Sequence, residues 1–306
     1  MPDYPMLDYP RVSPHLLACR QAVRGLPACV IGVSGGPDSL ALAAACAIEG
    51  VDARALIVDH RLQEGSDRVA ARAADQVRAM GLPAEVAVVD VPAGGDGTEA
   101  EARRVRYEAL FRAAAARPVV VAHTRDDQAE TLLLGALRGL PTGMSDRPGL
   151  LRPFLRVRRA DTVGACEELG LQPWSDPHNE DPAFRRVAVR TRVLPLLAEI
   201  TGADPVEALA LAAERIAADD GYLTALAGEP TEDCAELAAQ AEPLRRRRIV
   251  AWLTGQGLAV NRAVLAGVDK LCTDWRGQGG VAVGQRDGRR LAVHRVGGKL
   301  ALIPET

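Results

Sequence analysis

Between Ala28 and Cys46 a short apolar run meets an Ala/Leu-rich stretch through Ser34-Gly35-Gly36-Pro37-Asp38-Ser39. Ala28-Cys29-Val30-Ile31-Gly32-Val33 has the β-branched content of a buried strand, and Leu40 to Cys46 reads as the first turns of a helix. The turn is an anion site in outline. Gly35 and Gly36 let the backbone curl close to a ligand, and the helix start presents free N–H groups. Ser34 and Ser39 can add hydroxyl donors, and Asp38 can hold a cation that accompanies phosphates. An ordinary turn with a serine cap accounts for the same residues. Neither Gly-x-x-x-x-Gly-Lys-Ser/Thr nor a Gly-x-Gly-x-x-Gly after a strand occurs, which sets aside the commoner phosphate motifs.

The alternation continues through the first half. Leu56-Ile57-Val58 is a strand, and Glu64 to Met80 is a helix with Val69, Ala70, Ala73, Ala74 and Val77 on one face. Val86 to Val91, Glu99 to Ala116, Val119 to Ala122 and Gln128 to Leu137 read as strand, helix, strand and helix, with a glycine loop at Gly94-Gly95-Asp96-Gly97. This order predicts a parallel doubly wound sheet, with ligands beyond the carboxyl ends of its strands. Leu140 to Pro153 reads as a loop, Arg156 to Leu169 and Arg185 to Ala198 as helices. A boundary near 198–206 gives two domains, 1–200 and 201–306. The second is smaller and mainly helical (Pro205 to Leu226, Ala235 to Gly255, Asn261 to Cys272) and ends in a β-hairpin or small meander with a turn at Asp287-Gly288.

Composition narrows the function classes. No apolar run reaches the length of a membrane span and no secretory pattern opens the chain, so a cytoplasmic protein without a membrane partner is expected. The six cysteines, at 19, 29, 46, 166, 234 and 272, form no Cys-x-x-Cys and no cluster with histidine, which points to free buried thiols. The net charge of −3 argues against indiscriminate nucleic-acid binding, yet arginines concentrate at 156–159, 185–192 and 245–248. Each cluster alone is a solvated face; three together suit phosphate contacts.

Three further segments fall where strand ends converge on the glycine loop. Asp59 and His60 close the second strand, within reach of an adenosine, although a cap explains Asp59 as well. Arg103 and Arg106 lie three apart on a helix and either face a phosphate or carboxylate or pair with Glu99 and Glu101. His123-Thr124-Arg125-Asp126-Asp127-Gln128-Ala129-Glu130-Thr131 leaves a strand and enters a helix. Capping needs one acidic residue at such a junction, and this segment has more; paired carboxylates hold magnesium or a substrate ammonium.

The loop at 34–39 resembles the pyrophosphate loop of ATP pyrophosphatases that adenylate a carbonyl oxygen, the PP-loop (adenine nucleotide alpha-hydrolase-like) superfamily. Together with Val58-Asp59-His60, Glu101-Ala-Arg-x-x-Arg-Tyr107, His123-x-x-Asp-Asp-Gln-x-Glu-Thr131 and Arg152-Pro153-Phe154-Leu155, it resembles the tRNA(Ile)-lysidine synthases in their short form. The likeness runs from about 28 to 197, with departures at His178, Phe184 and Val187, whereas Arg186, Arg190 and Pro195 fit. It implies ATP and Mg2+ as cofactors, and free L-lysine and a CAU-anticodon tRNA(Ile) as partners. The oligomeric state is left open, a homodimer included. It implies phosphate and adenosine contacts from Ser34, Gly35, Gly36, Pro37, Asp38, Ser39, Asp59, His60, Arg103 and His123. Asp38 and Asp127 become metal ligands; Asp38, Asp127, Glu130 and Arg106 become catalytic. Arg186, Arg190, Arg246 and Arg247 are expected on the tRNA backbone. The rivals are a PP-loop tRNA 2-thiolation enzyme, which generally needs catalytic or cluster-binding cysteines, an amide-forming ATP pyrophosphatase and a non-catalytic nucleotide sensor.

Overall fold

The computed structural model describes residues 10–63, 65–91, 98–175, 181, 183–286 and 289–305; the Gly94–Gly97 loop, His178 and the Asp287-Gly288 turn lie outside them. A helix not read from the sequence, α1 (Pro14–Val23), precedes β1 (Cys29–Val33), α2 (Pro37–Ile48), β2 (Ala53–Asp59), α3 (Ser66–Ala79) and β3 (Ala84–Val88). α4 (Thr98–Ala114), β4 (Val119–Val120), α5 (Arg125–Ala136) and β5 (Leu150–Leu151) complete the sheet. Its five strands are parallel in the order β3-β2-β1-β4-β5. Ile31 of β1 stands opposite Ala55 on one side and Val120 on the other. The winding reverses at β1, so the crevice beyond the carboxyl ends of β1 and β4 is where such a sheet binds ligands.

Burial explains the layers. Leu16, Cys19 and Val23 of α1, the wholly apolar middle of α2, and Ala165 and Cys166 of α6 (Arg159–Glu168) join one core with Ile31 and Phe154. α3 contributes Ala70, Ala73, Ala74 and Val77 to it, the face its spacing predicts. On the opposite side α4 sets Leu110 and Ala114 against Val30, Leu56 and Val119. Gly32 makes that approach possible, because a Cβ there would meet Leu110 Cδ1 at 3.1 Å. Leu140 to Pro153, expected as a loop, holds β5, whose two residues are too short a run to carry a period.

α7 (Arg185–Ala188), a π turn at Val189–Val193 and α8 (Leu194–Thr201) form one continuous helical stretch, followed by α9 (Pro205–Ala227). The chain divides into two compact units, 1–217 and 218–306, so α9 up to Ala217 clusters with the first unit. In the second unit α10 (Cys234–Ala238), α11 (Glu242–Gly255) and α12 (Arg262–Thr273) share a core with β6 (Val281–Arg286), β7 (Arg289–Val296) and β8 (Lys299–Glu305). These strands form an antiparallel meander. The single helix expected over Ala235–Gly255 is two, because Pro243 sits in the first turn of α11 and starts it afresh. Among the described residues no helix is long and apolar enough to cross a membrane.

Candidate functional site

Gly35 turns the chain after β1 with φ +85°, a left-handed value that side chains other than hydrogen resist. A Cβ there would meet that of Ala73 at 3.2 Å, so α3 presses against the loop. Gly36 caps α2 in extended conformation and Pro37 follows in its first turn. The Ser34 N–H donates to Ser39 Oγ at 3.1 Å, and Ser39 Oγ donates to the Gly36 carbonyl at 3.0 Å. Both serines therefore hold the loop in shape. The first N–H groups of α2 lack intrahelical acceptors, and the positive end of its dipole points the same way.

Asp38 reaches from α2 to α6. Thr162 Oγ1 donates to its Oδ1, and Arg159 Nε lies 3.7 Å from its Oδ2. Burial pushes its carboxyl above the usual range, against the pull of Arg159 and Thr162. On α5, Thr124 and Asp127 form a capping box, with Asp127 Oδ2 accepting the Thr124 N–H at 2.8 Å. Asp127 Oδ1 accepts from Arg159 Nη2 at 2.8 Å. Glu130, one turn on and fully buried, accepts from Arg159 Nη1 at 2.9 Å and from Arg190 Nε at 2.8 Å. Burial alone would raise the Asp127 carboxyl, but Arg159 and the Thr124 N–H hold it below its usual value. Asp126 takes a different role, accepting the main-chain N–H of Arg159 at 2.7 Å and Arg158 Nε at 3.2 Å. One guanidinium, that of Arg159, thus stands among Asp38, Asp127 and Glu130, where a cation belongs.

The remaining strand ends build an electropositive wall. Arg103 and Arg106 of α4 flank the Tyr107 ring at 5.2 and 5.7 Å, and among the described residues neither has a carboxylate partner. Their neighbour Arg104 takes Glu101 and Glu108 instead, so the alternative pairing falls to the residue between them. Among the described residues, His60 Nδ1, Tyr107 Oη, His123 Nδ1 and Arg152 Nε are buried without hydrogen-bond partners. The Tyr107 hydroxyl lies beside Arg152 without ordinary hydrogen-bond geometry. Burial drives His123 down to about 3, against the Asp127 carboxylate and with Arg103, Arg152 and Arg106 adding to the effect. Burial and Arg106 lower His60 likewise. Neutral imidazoles beside guanidiniums that have no carboxylate partner among the described residues suit an anionic, hydrogen-bonding ligand.

Other expected residues are placed differently. Asp59 accepts the Arg61 N–H at 2.9 Å and closes a turn, the bland alternative its position allowed. Arg190 is held on Glu130, and Arg186 donates to Thr131 Oγ1 at 3.1 Å and lies 3.6 Å from Asp127, so both border the acidic cluster. The 245–248 run is neutralised within the second unit. Arg246 pairs with Glu242 at 2.6 Å and Asp269 at 3.3 Å, Arg247 with Asp220 at 2.6 Å, Arg245 with Asp269 and Arg248 with Glu236. Among the described residues no three acidic, histidine or cysteine side chains converge as a metal cage, and Asp38 and Asp127 meet through Arg159. Sequence reasoning missed Arg159 and Thr162 as site residues, and left Tyr107 and Arg152 without a role inside motifs it had quoted. Only the pattern Arg158-Arg159 at a helix start signalled the first of these.

Residues 14–197 match the PP-loop domain and residues 233–301 match the TilS substrate binding domain. The tRNA(Ile)-lysidine synthase of Corynebacterium glutamicum is 50% identical over 97% of each chain, and that of Corynebacterium efficiens 48% identical over 97% of each. The corresponding protein of Nocardia farcinica is 45% identical over 92% of this chain and 96% of its own. Among solved structures, the U34-tRNA thiolase NcsA from Methanococcus maripaludis with its [4Fe-4S] cluster superposes with a TM-score of 0.53 at 13% identity, over 66% of this chain and 77% of that one, a likeness of fold alone.

Proposed function

The chain belongs to the tRNA(Ile)-lysidine synthases, and on that premise we propose a two-step reaction on the wobble cytidine of a CAU-anticodon tRNA(Ile). The cytosine O2 attacks the α-phosphorus of ATP, forming a C–O–P link and breaking the bond to pyrophosphate. The ε-amine of free lysine then attacks C2, and AMP departs with the former O2, leaving lysidine. One observation carries this reading. An acidic cation site (Asp38, Asp127 and Glu130 around Arg159) borders an anion-binding loop within one unit. Activating a carbonyl with ATP and delivering an amine require those two sites side by side.

Each residue then has a task. The loop and the α2 N-terminus stabilise the departing pyrophosphate. Arg103, Arg106 and Arg152 face negative charge on the nucleotide, and neutral His60 and His123 hydrogen-bond to it. Asp127 and Glu130 orient the lysine ammonium and accept its proton, since only the free amine is nucleophilic. Lysine entry requires Arg159 to yield its contacts. Asp38 and Asp127, which both contact the Arg159 guanidinium, are the carboxylates that would hold Mg2+. When bound it neutralises charge on the pyrophosphate.

The 2-thiolation rival fails on chemistry. All six cysteines are free and buried, and burial pushes Cys29 up to about 11 and Cys166 up to about 12, far from the thiolate such enzymes use. The test is incubation with ATP, labelled lysine and CAU-anticodon tRNA(Ile). Label in the RNA is expected; pyrophosphate release without label leaves the fold and removes the reaction.

A further inference from the structure

Beside the phosphate loop, outside the acidic and electropositive walls, lies a cavity of about 140 Å³ lined by Gly35, Arg68, Arg72, Ala73, Gln76 and Trp174, among others. Its walls are preformed. The main-chain N–H of Trp174 donates to the Gly35 carbonyl at 2.9 Å, tying the wall to the loop itself. Gln76 and Gln172 exchange two hydrogen bonds, at 2.8 and 3.1 Å, which tie the same wall to α3. Arg68 and Arg72 stand one turn apart at the rim, exposed and on one face of α3. On that helix Arg78 pairs with Asp75 at 2.9 Å, whereas among the described residues Arg68 and Arg72 have no ion-pair partner.

Two exposed guanidiniums with no ion-pair partner among the described residues, beside a pocket that Trp174 helps to line, match a nucleotide, with phosphate on the arginines and the base against the tryptophan. The volume is well below the roughly 300–1,000 Å³ of pockets that enclose a whole ligand, so one planar base enters while sugar and phosphate stay outside. Gly35 lines the cavity and also shapes the loop, so a nucleotide seated here adjoins the reaction site. We propose that this cavity binds a nucleotide of the RNA substrate next to the reacting cytidine, the base against Trp174 and its phosphates on Arg68 and Arg72. The proposal rests on the RNA-modifying reading above.

The test is binding of a CAU anticodon stem–loop RNA, followed by fluorescence anisotropy across a salt series, with ATP binding measured in parallel. Arg68→Gln/Arg72→Gln weakens RNA binding and reduces the slope of log K against log salt by about 1.4, two single-strand phosphate contacts. Trp174→Leu weakens it by about tenfold or more at an unchanged slope. The arginine pair is exposed, so its replacement tests the pocket even where Trp174→Leu fails to fold. Unchanged RNA affinity and slope in the double variant overturn the proposal, as does a loss of ATP affinity in place of RNA affinity. Binding needs no lysine transfer. A wild-type protein that incorporates no lysine but loses stem–loop binding on the double substitution contradicts the reaction and keeps the pocket. Normal incorporation with an unaffected double variant does the reverse.

Discussion

Replacing Glu130 by glutamine isolates the interaction on which the acidic site is built. The Glu130 side chain is 0% exposed, and its carboxylate accepts from Arg159, whose side chain is 20% exposed, and from Arg190, at 30%. Breaking a fully buried ion pair from one side costs about 3–5 kcal/mol. Here the cost is smaller. Both arginines reach water, Arg159 keeps Asp127 at 2.8 Å, and glutamine retains one acceptor oxygen. About 2–3 kcal/mol remains. For a unit of 217 residues this lowers Tm by about 4–12 °C. Thermal unfolding at neutral pH reads it, and a double-mutant cycle with Arg190→Gln gives a coupling of about 1 kcal/mol or more. In the reaction, losing one charge opposite the ammonium raises the KM for lysine by about a hundredfold and leaves ATP affinity in place. A Tm within about 2 °C of wild type, with no coupling to Arg190, would refute the account of how the acidic site is held.

Three other outcomes follow from the same geometry. His123 is held at about 3 against an unfolded value of 6.5, so the unfolded chain binds the extra proton between those values and stability falls as pH drops through that window. His123→Gln flattens this decline by up to one proton, about 1.4 kcal/mol per pH unit, in urea titrations from pH 7 to 5; identical slopes contradict it. The buried thiols, with Cys272 also pushed up to about 12, stay unmodified by iodoacetamide in the native protein and react in denaturant; rapid native labelling reopens the thiolation reading. Arg246→Gln/Arg247→Gln removes pairs to Glu242, Asp269 and Asp220, so it lowers stability by about 1–2 kcal/mol and leaves the salt dependence of tRNA binding unchanged; a flatter salt dependence restores these residues to the RNA surface.

The readable parts of this molecule are those in which neighbours in sequence do the work. The phosphate loop is a strand, two glycines and a helix start in succession, and the 123–131 segment is a strand end with its own capping box. The unreadable parts depend on distant partners. Arg159 reaches Glu130 across 29 positions and Arg190 reaches it across 60, and no local pattern announces either contact. For the same reason 245–248 read as a free basic run, although its partners sit as far away as Asp220 and Asp269. β5 escaped because two residues have no period, and α1 because Pro14 and the short run after it resemble a loop until Leu16, Cys19 and Val23 find the core.

If the base is adenylated, the cytosine O2 leaves as part of AMP, and the oxygen atom itself is the reporter. With tRNA(Ile) carrying oxygen-18 at O2 of the wobble cytidine, each lysine joined to the RNA releases one AMP whose phosphate contains the heavy oxygen. Heavy oxygen retained in the lysine-bearing RNA, or AMP formed without it, would contradict adenylation of the base.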